Sequence, residues 1–414
     1  MRKNGEQVQR RAVDLCGEAA CDVGLVAVAG GDVVQTISKG IIDPDLILDT
    51  DTFLWAMMSA MLAAALWINF ATYFGAPVST THSIVGGVMG AGIAAAGTAV
   101  VDWTVMAKIA GSWIISPGLG GIVAAIFLAF LKRKVLYQQD PIAAAKHWVP
   151  ILIALMAGVF SAYLSVKGLK KVWKPEPWVV VLIGAGFMAA TYAVVNPLIA
   201  KHATSMENTK KAIRGLFHVP LICAAALLSF AHGANDVANA VGPLAAIVNS
   251  TSTGAVAAAK VEIPTWGLFV GAAGITMGLM LFGPKLIRTV GDKITRMNPM
   301  RAYCVALSAA ITVIIASAMG LPVSSTHIAI GAVFGVGFFR EYHTSRGGHI
   351  NGSANKADRP PSKWDLLPAE EKSRRRKLVR RQYLWTIIAA WLITVPLSAI
   401  FAGGIYAGLR AFLG

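Results

Sequence analysis

A succession of long apolar stretches separated by short basic loops restricts this chain to a narrow range of folds. A helix needs about 20 apolar residues to cross the hydrocarbon of a bilayer. With 56% hydrophobic and only 14% charged residues, 414 residues do not form a water-soluble domain. The sequence therefore predicts an all-α, polytopic membrane protein with about ten transmembrane helices. They fall at about 52–74, 77–97, 103–131, 148–168, 178–199, 216–247, 265–283, 302–320, 322–339 and 383–412.

The net charge of +16 indicates orientation rather than a nucleic-acid partner. Its cations are concentrated in connections between apolar stretches, as in the basic loops that stay on the cytoplasmic side of membrane proteins. We therefore expect 132–147, 200–214 and 285–301 to be cytoplasmic. The segment 340–382, rich in Gly, Ser, Asn and Pro and then in Arg, is predicted to be a disordered basic cytoplasmic loop.

The N-terminal stretch 1–22 is polar and mixed in charge, and it lacks the apolar core of a signal peptide. The cysteines show no CxxC spacing, and two of them lie within apolar stretches. Neither a disulfide framework nor a metal knuckle is indicated by Cys16, Cys21, Cys223 and Cys304.

An internal repeat relates two parts of the chain. The hexapeptide 77–82, Pro-Val-Ser-Thr-Thr-His, returns almost unchanged at 322–327, and the segments 77–90 and 322–335 share eight of fourteen residues. A second similarity is that the segment from Trp113 to Pro117 resembles the segment from Trp391 to Pro396. We therefore divide the chain into three parts. Residues 23–199 form a first, incomplete repeat with linking helices, 200–339 form the core of the second repeat, and 383–414 form the last transmembrane helix of that second repeat.

The loop charges predict that the two repeats have opposite orientations. Counting ten crossings places the motif at Pro77 at the cytoplasmic end of its helix and the motif at Pro322 at the outer end. Inverted-topology repeats are typical of secondary transporters, whose sites lie near the midplane where discontinuous helices meet. Breaks are expected at Pro117, at Gly233 with Pro243, and at Pro396.

Each Pro-Val-Ser motif predicts a helix N-terminus able to bind an anion. Proline suits the first turn of a helix, and the hydroxyl groups that follow lie beside unpaired backbone N–H groups. Two such ends facing one another would surround an anion from both sides. Simple helix capping by Ser and Thr is the alternative for either copy alone.

The stretch 229–243 places Asp236, Asn235 and Asn239 within an otherwise apolar segment. Charged groups at membrane depth usually line an ion or substrate path. Because no Lys or Arg lies at the centre of the apolar stretches near the motifs, a bound anion would need Na⁺ or H⁺, for which oxygen ligands are suited. The alternatives are a structural Asn–Asp cluster and a metal site built from His82, His232, His327 and Asp236, whose spacing resembles no paired ligand motif.

Together, the octad Gly233 to Ala240 and the two Pro-Val-Ser motifs resemble the inorganic phosphate transporter (PiT) family of permeases. The resemblance covers about residues 29–414 and implies phosphate symport with Na⁺ or H⁺ in a multi-pass protein of the cell (inner) membrane, without a resident cofactor. It leaves a homodimer open. It also implies that the anion is bound by Ser79, Thr80, Thr81, Ser324, Ser325, Thr326, Asn235 and Asn239, and that Asp236, Asn235 and Asn239 couple the ion.

The sequence departs from that family in one respect, because the family has a Gly-Ala-Asn-Asp motif in each half and this chain has it once. Gly233 precedes Pro322 by 89 positions, and the same spacing back from Pro77 falls before Met1. We therefore expect a truncated or altered N-terminus, and a non-transporting, degenerate family member is an alternative. A permease for sulfate or another tetrahedral oxyanion is a second alternative. The sequence shows no nucleophile–base pair that would indicate an enzyme.

Overall fold

The computed structural model describes residues 31–47, 49–74, 76, 78–168, 175–204, 206, 213, 215–254, 256, 261, 263–294, 297–345 and 381–413. The N-terminal stretch 1–22, Pro77 and most of the predicted basic loop lie outside these residues. That loop was expected to begin at residue 340, but the helix before it extends to Ser345.

The described chain is helical, and every predicted span falls in a helix. The helices are α1 (Gly31–Gln35, continued by a π-helical turn Thr36–Gly40), α2 (Thr50–Tyr73), α3 (Thr80–Ala96), α4 (Trp103–Leu131, with a π-helical turn Lys132–Leu136), α5 (Pro141–Gly168), α6 (Pro177–Thr204), α7 (His218–Thr253), α8 (Thr265–Ile294), α9 (Pro299–Ala318), α10 (Ser325–Ser345) and α11 (Gln382–Leu413). Short 3₁₀ turns lie at Pro44–Leu46 and Thr98–Val100.

Among the residues that the structure describes, seven helices are long and apolar enough to cross a membrane, namely α2, α4, α5, α6, α7, α9 and α11. Helix α3, with 17 residues, spans only about 25 Å at 1.5 Å per residue, less than the ~30 Å of a typical hydrocarbon core. The all-α, multi-pass membrane fold is confirmed, whereas the count of ten crossings is not.

The turns of two helical hairpins contain Val78 and Ser79 of the first Pro-Val-Ser motif and Pro322 to Ser324 of the second. Hairpin one consists of α2 and α3, hairpin two of α9 and α10, and the helices within each hairpin pack against one another. The two turns meet, because the Thr81 hydroxyl in α3 donates to the Val323 carbonyl at 3.0 Å. Two hairpins that touch at their turns place both motifs at one location between the repeats.

This contact corrects the prediction that the two motifs lie at opposite membrane faces. Counting crossings treats each apolar stretch as a full span, but α3, with 17 residues, is too short to be one, so the count that assigned the two faces does not hold. The prolines are also placed differently than expected: Pro322 precedes the capping residue Ser324, so it lies outside the first turn of α10. Helix α3 begins only at Thr80, and Pro77 lies outside the described residues.

The helix that follows each hairpin packs against the other hairpin. Helix α11 lies on α3, where a Cβ atom added to Gly86 would lie 2.6 Å from the Val395 carbonyl oxygen. Helix α4 lies on α10, where a Cβ on Gly331 would overlap the Pro117 carbonyl. Gly86 and Gly331 are equivalent in the repeat, as are Val395 and Pro117, so the repeat is preserved in the packing.

The prolines within long helices do not break them. Helix α4 is continuous through Pro117, α7 through Pro243 and α11 through Pro396, so the predicted breaks at these residues are wrong. Neighbouring helices can compensate for backbone groups that proline leaves unpaired in a membrane helix. The discontinuities between helices lie instead at the two hairpin turns.

Helix α7 joins two hydrophobic cores. Its N-terminal half, including Ala224 and Leu227, packs in a core with α4, α5, α9 and α10. Its C-terminal half, including Val237 and Val241, packs with α2, α3 and α11. The polar residues of α7 therefore lie where the two cores meet, next to the hairpin turns.

Candidate functional site

Asp236 of α7 lies between the first turns of α3 and α10. Its Oδ2 atom accepts from the Thr80 hydroxyl at 3.4 Å and from the Ser325 hydroxyl at 3.2 Å. Thr80 and Ser325 are equivalent positions of the two repeated motifs. One carboxylate is thus bound by corresponding groups of both hairpins, and only 9% of the residue is exposed.

Asn239 lies one helical turn after Asp236 and contacts hairpin one. Its Nδ2 atom donates to the hydroxyl oxygens of Thr80 at 3.3 Å and Thr81 at 3.1 Å. Its Oδ1 atom is buried and has no hydrogen-bond partner in the structure. A buried carbonyl oxygen without a donor is suited to accept a cation or a ligand hydrogen.

Asn235 holds hairpin two against α7. The hydrogen-bond donors and acceptors around it place its amide nitrogen 2.8 Å from the Val323 carbonyl and 3.3 Å from Asp236 Oδ1, while its oxygen accepts from the Ser317 hydroxyl at 2.9 Å. The opposite assignment would leave the oxygen facing only acceptors. Asn235 is fully buried, so these contacts fix the turn of hairpin two relative to Asp236.

His232 completes the contacts of the carboxylate on the more exposed side. Its Nδ1 atom lies 3.1 Å from Asp236 Oδ2 and 2.6 Å from the Ser325 hydroxyl. About a third of the His232 side chain is exposed. In the sequence, His232 is one of the polar residues of the stretch 229–243 and part of the metal hypothesis. Its position one turn before Asp236 places the two side chains on the same helical face.

The serines of the two motifs cap their own helices. Ser79 Oγ accepts from the His82 backbone N–H at 3.2 Å, and Ser324 Oγ accepts from the His327 N–H at 3.3 Å. Capping was the alternative to anion binding for these residues, and both serines are buried. Thr326 lies half-buried in the first turn of α10.

The structure brings most predicted site residues together. Thr80, Thr81, Ser325, Asn235, Asp236 and Asn239 form one hydrogen-bonded group, with the two serine caps directly behind it. Both helix N-termini, which carry partial positive charge, adjoin a carboxylate. This arrangement suits an anion only when a cation or proton offsets the charge of Asp236.

The metal alternative is not supported where the structure describes the chain. Its described segments contain no group of three His, Cys, Asp or Glu residues placed to hold a metal ion. His82 and His327 lie instead against two tryptophans, with the His82 ring stacked on Trp113 at 3.7 Å between centroids. The Trp113 indole N–H also donates to the Pro322 carbonyl at 2.9 Å. The repeat of the tryptophan is visible in the sequence, but its contacts with the histidine and the Pro322 carbonyl are not.

Comparisons with known proteins agree with one another. Residues 18–402 match the model of the phosphate transporter family. A Helicobacter pylori (strain J99) protein named "Putative phosphate permease" is 40% identical over 453 residues, which cover 98% of this chain and 85% of the relative. "Inorganic phosphate transporter 2-1, chloroplastic" of Arabidopsis thaliana is 32% identical over 396 residues, covering 90% and 62%.

A solved structure described as "The sodium-dependent phosphate transporter" matches the fold with a TM-score of 0.82 and 33% identity, over 98% of this chain and 90% of that one. The family is one of permeases and not of enzymes. Fold, family model and relatives agree over nearly the whole length of the sequence. The chain belongs to the phosphate transporter family.

Proposed function

We propose that this protein is a secondary transporter that moves inorganic phosphate across the membrane, coupled to Na⁺ or H⁺, by alternating access. The observation that carries the proposal is the contact of Thr80 and Ser325 with one oxygen of Asp236. It places two equivalent helix N-termini, one from each repeat, around a single buried carboxylate. A site between inverted repeats is the arrangement that secondary transporters use.

Electrostatics explains why an ion must accompany the substrate. Backbone N–H groups and hydroxyls at the two helix ends attract a phosphate oxygen, but the Asp236 carboxylate repels it. A cation or proton on Asp236 removes that repulsion. Asn239 Oδ1, which has no donor, and the Asp236 oxygens offer a cation the ligands that hard ions prefer.

In this proposal the residues divide into two overlapping sets. The anion contacts backbone and hydroxyl groups of the two hairpin turns together with the amides of α7, and the ion lies on the α7 side. The anion set is Ser79, Thr80, Thr81, Ser324, Ser325, Thr326, Asn235 and Asn239; the ion set is Asp236, Asn235 and Asn239.

Uptake of labelled phosphate into proteoliposomes tests the proposal. We expect uptake that requires a Na⁺ or proton gradient and that Asp236→Asn reduces by at least about tenfold, since hydrogen bonds to a charged group contribute roughly 1.5–3 kcal/mol. Asp51→Asn removes an exposed carboxylate at the start of α2 and is the matched control. Gradient-independent uptake, or equal loss in both variants, would contradict the role of Asp236.

The same preparation decides between phosphate and sulfate. Phosphate can donate its remaining proton to a carboxylate or amide oxygen, and sulfate at neutral pH has none to donate. We therefore expect excess sulfate to leave phosphate uptake nearly unchanged. Strong competition would favour a general oxyanion permease, and no uptake by folded protein would favour a non-transporting family member.

We also infer that the protein resides in the cell membrane with its basic loops in the cytoplasm, which is supported by their charge. A homodimer remains a prediction that the mass of the purified protein in detergent would check.

A further inference from the structure

Four aromatic rings form a cluster beside the contact between the hairpin turns, in which Trp391 is half-buried and the other three rings are buried. His82 of α3 stacks on Trp113 of α4, and His327 of α10 lies 4.6 Å from Trp391 of α11, measured between ring centroids. The two imidazoles face each other edge to face at 5.0 Å. We call His82 and His327 the imidazole pair; its members are equivalent residues of the repeat and come from different hairpins.

The imidazole pair has nitrogens that the protein does not satisfy. His82 is 1% exposed and His327 is 2% exposed. His82 Nδ1 and both ring nitrogens of His327 are buried without a hydrogen-bond partner. Buried polar atoms are nearly always paired, so unpaired ones call for a ligand or a second state that pairs them.

The distance between the two rings fits a shared proton. The two rings meet edge to face and the nitrogens named above have no partner, so no N–H···N hydrogen bond joins those nitrogens in this structure. Because each ring nitrogen lies roughly an ångström from its ring centre, the 5.0 Å centroid separation allows such a bond of ~3 Å once one ring turns about its χ2 angle. A positive charge on the pair would lie against the faces of two indole rings, which attract cations. The four rings therefore offer both acceptor nitrogens for one proton and indole faces that attract its positive charge.

The imidazole pair is two residues along the chain from Thr80 and Ser325, which hydrogen-bond to Asp236, but its side chains point elsewhere. Thr80 and His82 are two residues apart on a helix, so their side chains point about 200° apart around its axis. Thr80 faces Asp236, and His82 faces the other hairpin. A proton on the pair would therefore lie on the opposite side of α3 from the carboxylate.

We propose that His82 and His327 form a proton-binding site that takes up one proton, held between the two imidazoles, when phosphate binds at the hairpin turns. The proton enters from the solution with the anion and leaves with it, and no covalent bond to the substrate forms. The inference rests on the proposed transport of phosphate. It makes H⁺ a coupling ion at a site separate from Asp236.

Other titratable groups must be distinguished from the pair. Asp236 and His232 of α7 are titratable groups of the candidate site, and they lie 3.1 Å from one another. The charged residues of the other surrounding helices lie within their terminal two turns, at Asp51 of α2, Lys108 of α4, Arg301 of α9, Arg340 and Glu341 of α10, and Arg410 of α11. The pair therefore responds mainly to the anion and to the α7 groups, which the variants below leave in place.

The test measures proton uptake per phosphate bound to purified protein in weakly buffered solution. His82→Phe and His327→Phe keep an aromatic ring and remove the nitrogens, and His218→Phe changes an exposed histidine at the start of α7 as the control. Because the pair variants and the control are compared at the same pH, protons that phosphate itself gains or loses contribute equally to all of them. We expect each pair variant to take up about one proton fewer than the control, because the shared site for that proton is gone. By linkage, one such proton changes phosphate affinity by up to about tenfold per pH unit.

A second measurement needs no variant in the pair. Nitrogen-15 NMR of histidine-labelled wild-type protein reports the tautomer and protonation of each ring, and we expect two histidines to change together on addition of phosphate. Unchanged proton uptake in both pair variants, or two rings that stay neutral with phosphate bound, would overturn the inference while leaving phosphate binding intact. Wild-type protein that binds no phosphate would instead refute the proposed function.

Discussion

Asp236 and Asn239 show how few side chains link the two halves of the site. Asp236 is bound by one hydroxyl from each hairpin, and Asn239 orients two adjacent hydroxyls of hairpin one. The Thr80 hydroxyl thus donates to Asp236 of α7 and the Thr81 hydroxyl donates to the Val323 carbonyl of hairpin two, while both hydroxyl oxygens accept from the Asn239 amide. The amide of Asn239 thus organises the groups that we assign to the anion.

Replacing that amide tests its role. Asn239→Leu keeps the side-chain size but removes two hydrogen bonds worth about 1 kcal/mol each, so phosphate uptake at low phosphate concentration should fall about tenfold or more. Asn69→Leu is the control, because Asn69 is an exposed residue of α2 whose amide donates to the Ala65 carbonyl of its own helix. Initial rates over a range of phosphate concentrations would check this, and an unchanged KM with Asn239→Leu would contradict it.

These polar residues were predictable because polar groups in an apolar helix stand out against their surroundings. Asn235, Asp236 and Asn239 were identified that way, and the hydroxyls by their duplication. The imidazole pair was not identified, because its contacts with Trp113 and Trp391 join residues far apart in sequence. Two repeated signals, the histidines and the tryptophans, were visible separately, and only the fold shows that they meet.

Helix crossings in this protein depend on glycines that allow backbones to touch. Gly331 and Gly335 of α10 face the carbonyls of Pro117 and Gly121, and a Cβ on either glycine would overlap them. Small residues let membrane helices approach closely, and van der Waals contact then holds them together. The equivalent contacts of α3 with α11 follow the same pattern at Gly86 and Gly90.

Gly331→Ala should therefore destabilise the protein by about 1–3 kcal/mol through overpacking, and Gly86→Ala should act in the same direction. The control is Gly186→Ala in α6, where an added Cβ meets nothing within 4 Å; that change should be neutral or stabilising because alanine favours helix. Thermal unfolding in detergent measures all three. A Gly331→Ala protein as stable as the control would show that the crossing can relax.

The individual helices were predicted well and their pairing was not. Hydropathy reports the length of each apolar stretch, and all ten stretches are helical. Whether a stretch crosses the bilayer or turns back depends on what its end contacts, and for α3 and α10 that is the other hairpin. Prolines predicted to break α4, α7 and α11 lie in continuous helices, because a proline in a membrane helix does not require a break where neighbouring helices can compensate for the unpaired backbone groups.

The molecule as a whole places one site between two cores. Alternating access requires that the groups at the hairpin turns open to one side of the membrane and then to the other. Thr80 is half-buried, whereas Thr81 is fully buried between the hairpins. The two neighbouring threonines therefore differ in how a soluble reagent can reach them.

Cysteine labelling can follow this exchange. In a protein whose four cysteines are replaced by serine, we expect Thr80→Cys to react with a membrane-impermeant maleimide from either face, depending on the ion gradient, and phosphate to slow the reaction. Thr81→Cys should react at least about tenfold more slowly, because burial excludes the reagent. Labelling of Thr80→Cys from one face under every ion condition would argue against alternating access.

The packing of α11 on α3, and of α4 on α10, also affects how the protein folds during synthesis. The backbone contact of Gly86 with Val395 joins residues about 300 positions apart, which a ribosome adding 5–20 residues per second needs roughly 15–60 s to synthesise. During that interval the glycine face of α3 has no α11 to pack against, and lipid or an insertion chaperone must cover it. The first half of this transporter therefore completes its folding only when the last helix has entered the membrane.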